Sequence, residues 1–201
     1  MIDAALRPIK DRILAPVAHS RLNAVHPAVF TASSLFLTLL AAVAAAVGQP
    51  ILALALWLVG RLADGLDGAI ARAGGRVSDY GGLLDIVGDT IGYAAIPLGI
   101  AIGVDDRVTW IVVAFLLATF YINAVSWTYV SALLEKRART GALATSVAMP
   151  RGLIEGTETI LFFAVALAVS AAATWVLGIM AVLVAVTAFE RIITSRRWLT
   201  S

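Results

Sequence analysis

The chain has 201 residues, 61% of them hydrophobic and 14% charged, with a formal net charge of +2 and a mean hydropathy of +0.94. Soluble domains carry roughly 25% charged residues, so this balance excludes an ordinary soluble protein and describes an integral membrane protein. Cysteine is absent, which excludes disulfides, zinc thiolate centres and thiol nucleophiles, and leaves oxygen ligands or His19 and His26 for any metal.

In residues 1–23 charges interrupt the apolar residues, which is not the pattern of a secretory signal. Ile9, Ile13, Leu14 and Val17 recur at helical spacing beside Lys10, Arg12 and Arg21, which predicts a juxtamembrane amphipathic helix on the cytoplasmic face. Residues 24–201 then read as one membrane domain. Six apolar segments follow, at about 28–47, 51–72, 83–104, 108–134, 153–169 and 174–192, each near the ~20 residues a spanning helix needs. Arg7, Lys10, Arg12 and Arg21 precede the first segment, and Arg72 and Arg76 follow the second. Lys136, Arg137, Arg139 and Arg151 separate the fourth from the fifth, and Arg191, Arg196 and Arg197 follow the sixth, whereas the alternate connections hold only Arg107. The positive-inside rule therefore predicts an all-α fold of six transmembrane helices with both termini cytoplasmic. Trp110, Trp175 and Trp198 fall at predicted boundaries and read as interfacial anchors.

Within the second and third segments lie Asp64, Asp67, Asp85 and Asp89. Ionised carboxylates at bilayer depth are costly without partners. Asp64 and Asp67 are three residues apart and Asp85 and Asp89 four apart, so each pair shares a helix face. Across a connection that includes Gly74, Gly75, Gly81 and Gly82, Asp64 and Asp89 fall at matching depth, roughly 12 Å below the turn, with Asp67 and Asp85 in a shallower layer. Four converging carboxylates repel one another unless cations or protons intervene. An all-oxygen set favours Mg²⁺ or Mn²⁺, and two ions about 3.5–4 Å apart would clamp a diphosphate. Arg72 and Arg76 at the mouth suit phosphate or a nucleotide. A structural reading, with the aspartates capping helices or pairing with Arg61 and Arg72, needs no second depth-matched pair. Arg61 and Arg76 read equally as ordinary cytoplasmic-side or snorkelling cations.

These residues resemble the signature of the CDP-alcohol phosphatidyltransferases: Asp, two residues, Asp-Gly, two residues, Ala-Arg, eight residues, Gly, three residues, Asp, three residues, Asp. All eight fixed positions are matched, by Asp64, Asp67, Gly68, Ala71, Arg72, Gly81, Asp85 and Asp89. The resemblance implies a six-span fold in a prokaryotic inner or plasma membrane, an active site facing the cytoplasm, and a homodimer. It implies transfer of a phosphatidyl-type group from a CDP-linked lipid, CDP-diacylglycerol above all, to the hydroxyl of a polar alcohol, with release of CMP. Asp64, Asp67 and Asp85 would chiefly hold the two metal ions, and Asp89 would be the general base while also contacting metal. Gly68, Ala71, Arg72 and Gly81 would face the cytidine diphosphate. No nucleic-acid partner is expected.

Members often open the first span with Asn-Pro-Asn and a following threonine, where this chain has His26-Pro27-Ala28-Val29-Phe30-Thr31. Thr31 is thus a nucleotide-side candidate or a local hydrogen bonder, and His26 reads as an interfacial residue. For the acceptor, the basic residues 136–151 and Glu155, Thr157, Glu158 and Thr159 are the candidates. Acids without a neighbouring arginine point to an uncharged polyol or an amino alcohol, unless Glu155 and Glu158 only cap the fifth helix. Asn123, Ser126, Trp127, Thr128 and Tyr129 either line a groove or bond to neighbouring helices. Two competing readings are transfer of a CDP-linked head group to a diradyl lipid and, in a different class, a proton- or cation-coupled transporter.

Overall fold

The computed structural model describes Pro16, Ser20 and residues 24–139 and 154–199. The expected amphipathic segment and Arg151 lie outside the described residues. From residue 24 onward, six α-helices are described in order: α1 (Pro27–Ala46), α2 (Pro50–Ala73), α3 (Asp79–Val104), α4 (Arg107–Arg139), α5 (Gly156–Ala168) and α6 (Ala173–Leu199), with a 3-10 turn at Ser170–Ala172 before the last. Each overlies one of the six predicted apolar segments, and no strand occurs among the described residues.

Local chemistry sets the helix ends. Pro27 and Pro50 occupy first-turn positions of α1 and α2, where a missing N–H costs nothing and a fixed φ is already helical. His26 caps α1, its Nδ1 accepting from the Ala28 N–H at 3.3 Å. The histidine takes the place of an N-cap asparagine. Ser78 caps α3, its hydroxyl accepting from the Gly81 N–H at 3.1 Å. Gly81 and Gly82 therefore belong to the first turn of α3 and not to the connection, because the serine starts the helix before them. Gly75, at φ +62°, takes the left-handed conformation the true turn requires.

Among the described residues, four helical stretches are long and apolar enough to cross a membrane: Pro27–Ala46, Asp79–Val104, Arg107–Arg137 and Ser170–Arg197. The other two helices differ for separate reasons. Helix α2 carries Arg61, Asp64, Asp67 and Arg72, and α5 has only 13 residues, about 20 Å at helical rise. Large apolar side chains face outward, among them Phe36, Leu62, Trp175 and Phe189, a surface suited to lipid rather than water.

Helix α1 packs along both α2 and α3, whereas the backbones of α2 and α3 scarcely approach each other. Small residues permit the α1 contacts. A Cβ on Gly99 or Gly103 would fall on the carbonyl of Ala42 or Ala45, and one on Gly60 would lie 3.3 Å from the Ser34 carbonyl. Such backbone proximity is how membrane helices associate where apolar burial offers little drive. Helix α4 pairs with α6 through a Thr109–Thr174 hydroxyl bond of 2.7 Å and through Arg191, which donates to the Asn123 side-chain oxygen at 2.6 Å and its carbonyl at 3.1 Å. Asn123 and Ser126 thus serve helix association, Ser126 accepting from the same guanidinium at 3.4 Å. Short α5 docks on α2, where the Trp57 indole donates to the Ile160 carbonyl at 3.3 Å and meets Phe163 edge-on with ring centroids 5.5 Å apart.

Candidate active site

The gap between α2 and α3, backed by α1, holds the acidic residues. Asp64, Asp67 and Asp85 each offer a carboxylate oxygen, and these atoms lie within 4.8 Å of one another. Two come from successive positions on one face of α2 and one from the first turns of α3, so the capped start of α3 and the turn at Gly75 bring the pairs together. Asp67 keeps only 8% of its exposure, while Asp85 is exposed. Carboxylates this close, all hard oxygen donors, fit a divalent cation such as Mg²⁺ or Mn²⁺.

Hydroxyls of α1 support this group. Thr31 donates to the Asp67 Oδ2 at 2.7 Å, and Ser34 donates to the Asp64 Oδ1 at 3.4 Å. Thr31 thereby orients a carboxylate of the site, as outer residues orient metal ligands elsewhere.

Asp89 joins the group through Arg61. Its Oδ1 accepts from the Arg61 Nη1 at 2.6 Å, and the same nitrogen lies 3.5 Å from the Asp64 Oδ2. The Arg61 Nη2 donates to the Ser34 and Thr38 hydroxyls at 2.9 and 3.3 Å, and its guanidinium carbon lies 4.7 Å from the centre of the Trp57 ring. With its side chain only 8% exposed, Arg61 is neither a snorkelling cation nor a loop charge; it is the buried counterion of the acidic site. A sequence signal for this exists, since Arg61 precedes Asp64 by three residues and must share its helix face. Ser34 and Thr38 carry no comparable signal, because their approach depends on how α1 packs.

The nucleotide-side candidates line the outer part of the same gap. The Arg72 side chain lies over Gly68, where a Cβ would come within 3.1 Å of its Nη1. Gly81 lies in the exposed first turn of α3, while Ala71 is half-buried. Arg76 donates to the Val25 carbonyl at 3.3 Å, joining the end of α2 to the start of α1. At the inner end, one turn beyond Asp89, the Tyr93 ring stacks on Phe120 at 5.6 Å and meets Phe163 edge-on at 6.2 Å. Glu155 and Glu158 take part in capping α5. Glu155 is the N-cap of α5 and its N–H donates to the Glu158 carboxylate at 3.3 Å, half of a capping box.

A carboxylate triad beside a guanidinium-held fourth acid, in a gap between apolar helices, is a set of hard oxygen donors that could hold a divalent cation. The sequence model of the CDP-alcohol phosphatidyltransferases matches residues 24–189, and the chain belongs to that family. It is 38% identical over 120 residues to the inner membrane protein YnjF of Escherichia coli strain K12, covering 59% of this chain and 57% of that one. It is also 38% identical over 102 residues to the archaetidylinositol phosphate synthase of Pyrococcus horikoshii, covering 51% and 53%. The chain thus spans a little over half the length of these curated relatives. Among solved structures, the phosphatidylinositol phosphate synthase of Mycobacterium tuberculosis with CDP-DAG bound superposes with a TM-score of 0.72 at 24% identity, over 92% of this chain and 94% of that one. The same synthase in complex with manganese and citrate gives 0.72 at 22%, over 90% and 88%. At these identities the likeness establishes a shared fold.

Proposed function

We propose that this chain is a metal-dependent CDP-alcohol phosphatidyltransferase of phospholipid biosynthesis, formed by residues 24–201 as six membrane-crossing helices with both termini and the active site on the cytoplasmic side. The donor is a CDP-linked lipid, CDP-diacylglycerol, and the acceptor is the hydroxyl of a polar alcohol. The observation that carries this reading is the meeting of Asp64, Asp67 and Asp85 within 4.8 Å at the spacing of the family signature. The donor bound in one solved fold relative and the manganese in another support the same assignment. A homodimer follows from family resemblance.

Asp64, Asp67 and Asp85, with Asp89 also contacting metal, would hold the expected pair of Mg²⁺ or Mn²⁺ ions, and such ions would supply charge neutralisation for a diphosphate in in-line displacement. The small surface of Gly68, Ala71 and Gly81 lets the cytidine diphosphate approach the helices, and Arg72 pairs with its phosphate oxygens. Thr31 fixes the Asp67 carboxylate at the nucleotide side. Asp89 takes the proton of the acceptor hydroxyl. The acceptor oxygen bonds to the phosphorus that carries the lipid, and the bond from that phosphorus to the bridging oxygen breaks, releasing CMP. Because Glu155 and Glu158 are engaged in capping α5, they give no reason to prefer an uncharged polyol or amino alcohol over a phosphorylated one. The synthases among the relatives favour a polyol of the inositol phosphate type.

The test incubates purified protein with labelled CDP-diacylglycerol and a panel of glycerol phosphate, inositol phosphate, serine and neutral polyols. The expected result is acceptor-dependent CMP release with a labelled phospholipid product. Ion flux in proteoliposomes without CMP release would instead identify a transporter, and CMP release that requires a CDP-linked head group and a diradyl lipid acceptor would identify head-group transfer.

A further inference from the structure

Beneath the acids, aromatic side chains from four helices meet. Trp57 of α2 and Tyr93 of α3 both contact Phe163 of α5 edge-on, with ring centroids 5.5 and 6.2 Å away, and Phe120 of α4 stacks on Tyr93 at 5.6 Å. Only Trp57 and Tyr93 bring a polar atom to this cluster. The Trp57 N–H is used within the fold, donating to the Ile160 carbonyl at 3.3 Å. The Tyr93 hydroxyl makes no hydrogen bond among the described residues, and its oxygen is accessible. Phenylalanine would complete the same ring cluster, so packing does not account for the hydroxyl. A hydroxyl in apolar surroundings is costly without a partner, and tyrosine hydroxyls usually find one.

The place of Tyr93 along the site identifies that partner. Tyr93 follows Asp89 by four residues and so shares its helix face, within electrostatic reach of Asp89, Arg61, Asp64 and Asp85. Gly68, Arg72 and Gly81, the residues assigned to the cytidine diphosphate, lie at the opposite, outer end. Tyr93 is farther in than Asp89 by about 6 Å at helical rise. In a CDP-linked diacylglycerol, the groups that follow the phosphate away from the nucleotide are the glycerol and its two ester carbonyls, good hydrogen-bond acceptors that precede the chains. We propose that the Tyr93 hydroxyl donates to an ester carbonyl of the lipid donor, which makes Tyr93 a specificity residue for diacyl over dialkyl donors. This rests on the functional reading just given. Tyr93 lies outside the eight signature positions.

The experiment measures equilibrium binding of radiolabelled CDP-diacylglycerol and of its dialkyl ether analogue, which lacks both carbonyls, to the whole chain in detergent with Mn²⁺. Wild type is compared with Tyr93→Phe, which keeps the ring and removes the hydroxyl. The variant is expected to bind CDP-diacylglycerol about 5- to 10-fold more weakly, as for loss of one hydrogen bond, and the ether analogue within about 2-fold of wild type. Equal weakening of both lipids, or wild-type affinity for CDP-diacylglycerol, would overturn the proposal. So would a Tyr93→Phe protein that fails to fold or melts more than about 5 °C below wild type, since the hydroxyl would then serve the fold. Wild type that binds neither lipid would overturn the functional reading itself, a distinguishable failure.

Discussion

Thr31 shows how a single hydroxyl serves a charged site inside a membrane. Its 2.7 Å bond to Asp67 is charge-assisted, and such bonds contribute more than neutral ones. Outer residues that orient metal ligands typically change metal affinity by about 10–100-fold when removed. Thr31→Val, which keeps the side-chain shape, is therefore expected to weaken Mn²⁺ binding about 10-fold, while Thr31→Ser retains near wild-type affinity. Asp89→Asn should bind Mn²⁺ and nucleotide but release CMP at least about 10²-fold more slowly, measured with purified protein whose folding is verified by its Tm. Full activity in Asp89→Asn would remove this residue from the role of base. Asp64, Asp67, Asp85 and Asp89 are legible in the sequence as a functional group because carboxylates in apolar helices stand out by cost and spacing alone. Arg61 is only partly legible there: its spacing to Asp64 puts both on one helix face, but only the tertiary packing shows it buried against α1 and α3.

Among the elements, the α1–α3 contact is the most exacting. Gly99 and Gly103 bring the α3 backbone against the Ala42 and Ala45 carbonyls, and no side chain is present there that could swing aside. Gly99→Leu is expected to force the helices apart, at a cost of about 2–3 kcal/mol, and to lower the Tm by roughly 5–10 °C. Gly88→Ala on the same helix meets nothing within 4 Å and should leave Tm unchanged or raised, as alanine favours the helix over glycine. Thermal unfolding followed by circular dichroism in one detergent distinguishes the two. A Gly99→Leu protein as stable as wild type would show that the contact tolerates separation. The six elements themselves are readable from hydropathy, whereas glycine content misplaces the start of α3. Ser78 outweighs Gly81 and Gly82 because a satisfied N–H fixes a helix start more firmly than glycine breaks one.

At the scale of the whole molecule, helices α1, α2 and α3 form the site while α4 and α6 pair with each other and α5 docks on α2. This places the acids in a gap that α1 backs. Because the acidic group contains only oxygen donors, chelation should act on the whole reaction: EDTA is expected to abolish CMP release, and added Mn²⁺ or Mg²⁺ to restore it, with Ca²⁺ a poorer substitute because of its larger, looser coordination. CMP release that persists in excess EDTA would exclude the divalent-ion mechanism.

The sequence by itself determined the membrane setting, the position of all six described helices and the identity of the acidic residues, because hydropathy and the cost of buried charge act locally and leave a periodic record. It also carried the family signature, whose fixed spacing reflects two helix faces meeting. Only the tertiary structure decided which carboxylates converge, that Arg61 holds Asp89 and Thr31 holds Asp67, and that Glu155 and Glu158 cap a helix. Those outcomes depend on the distance and rotation between helices, which small residues such as Gly99 and Gly103 set through packing and which no single segment encodes.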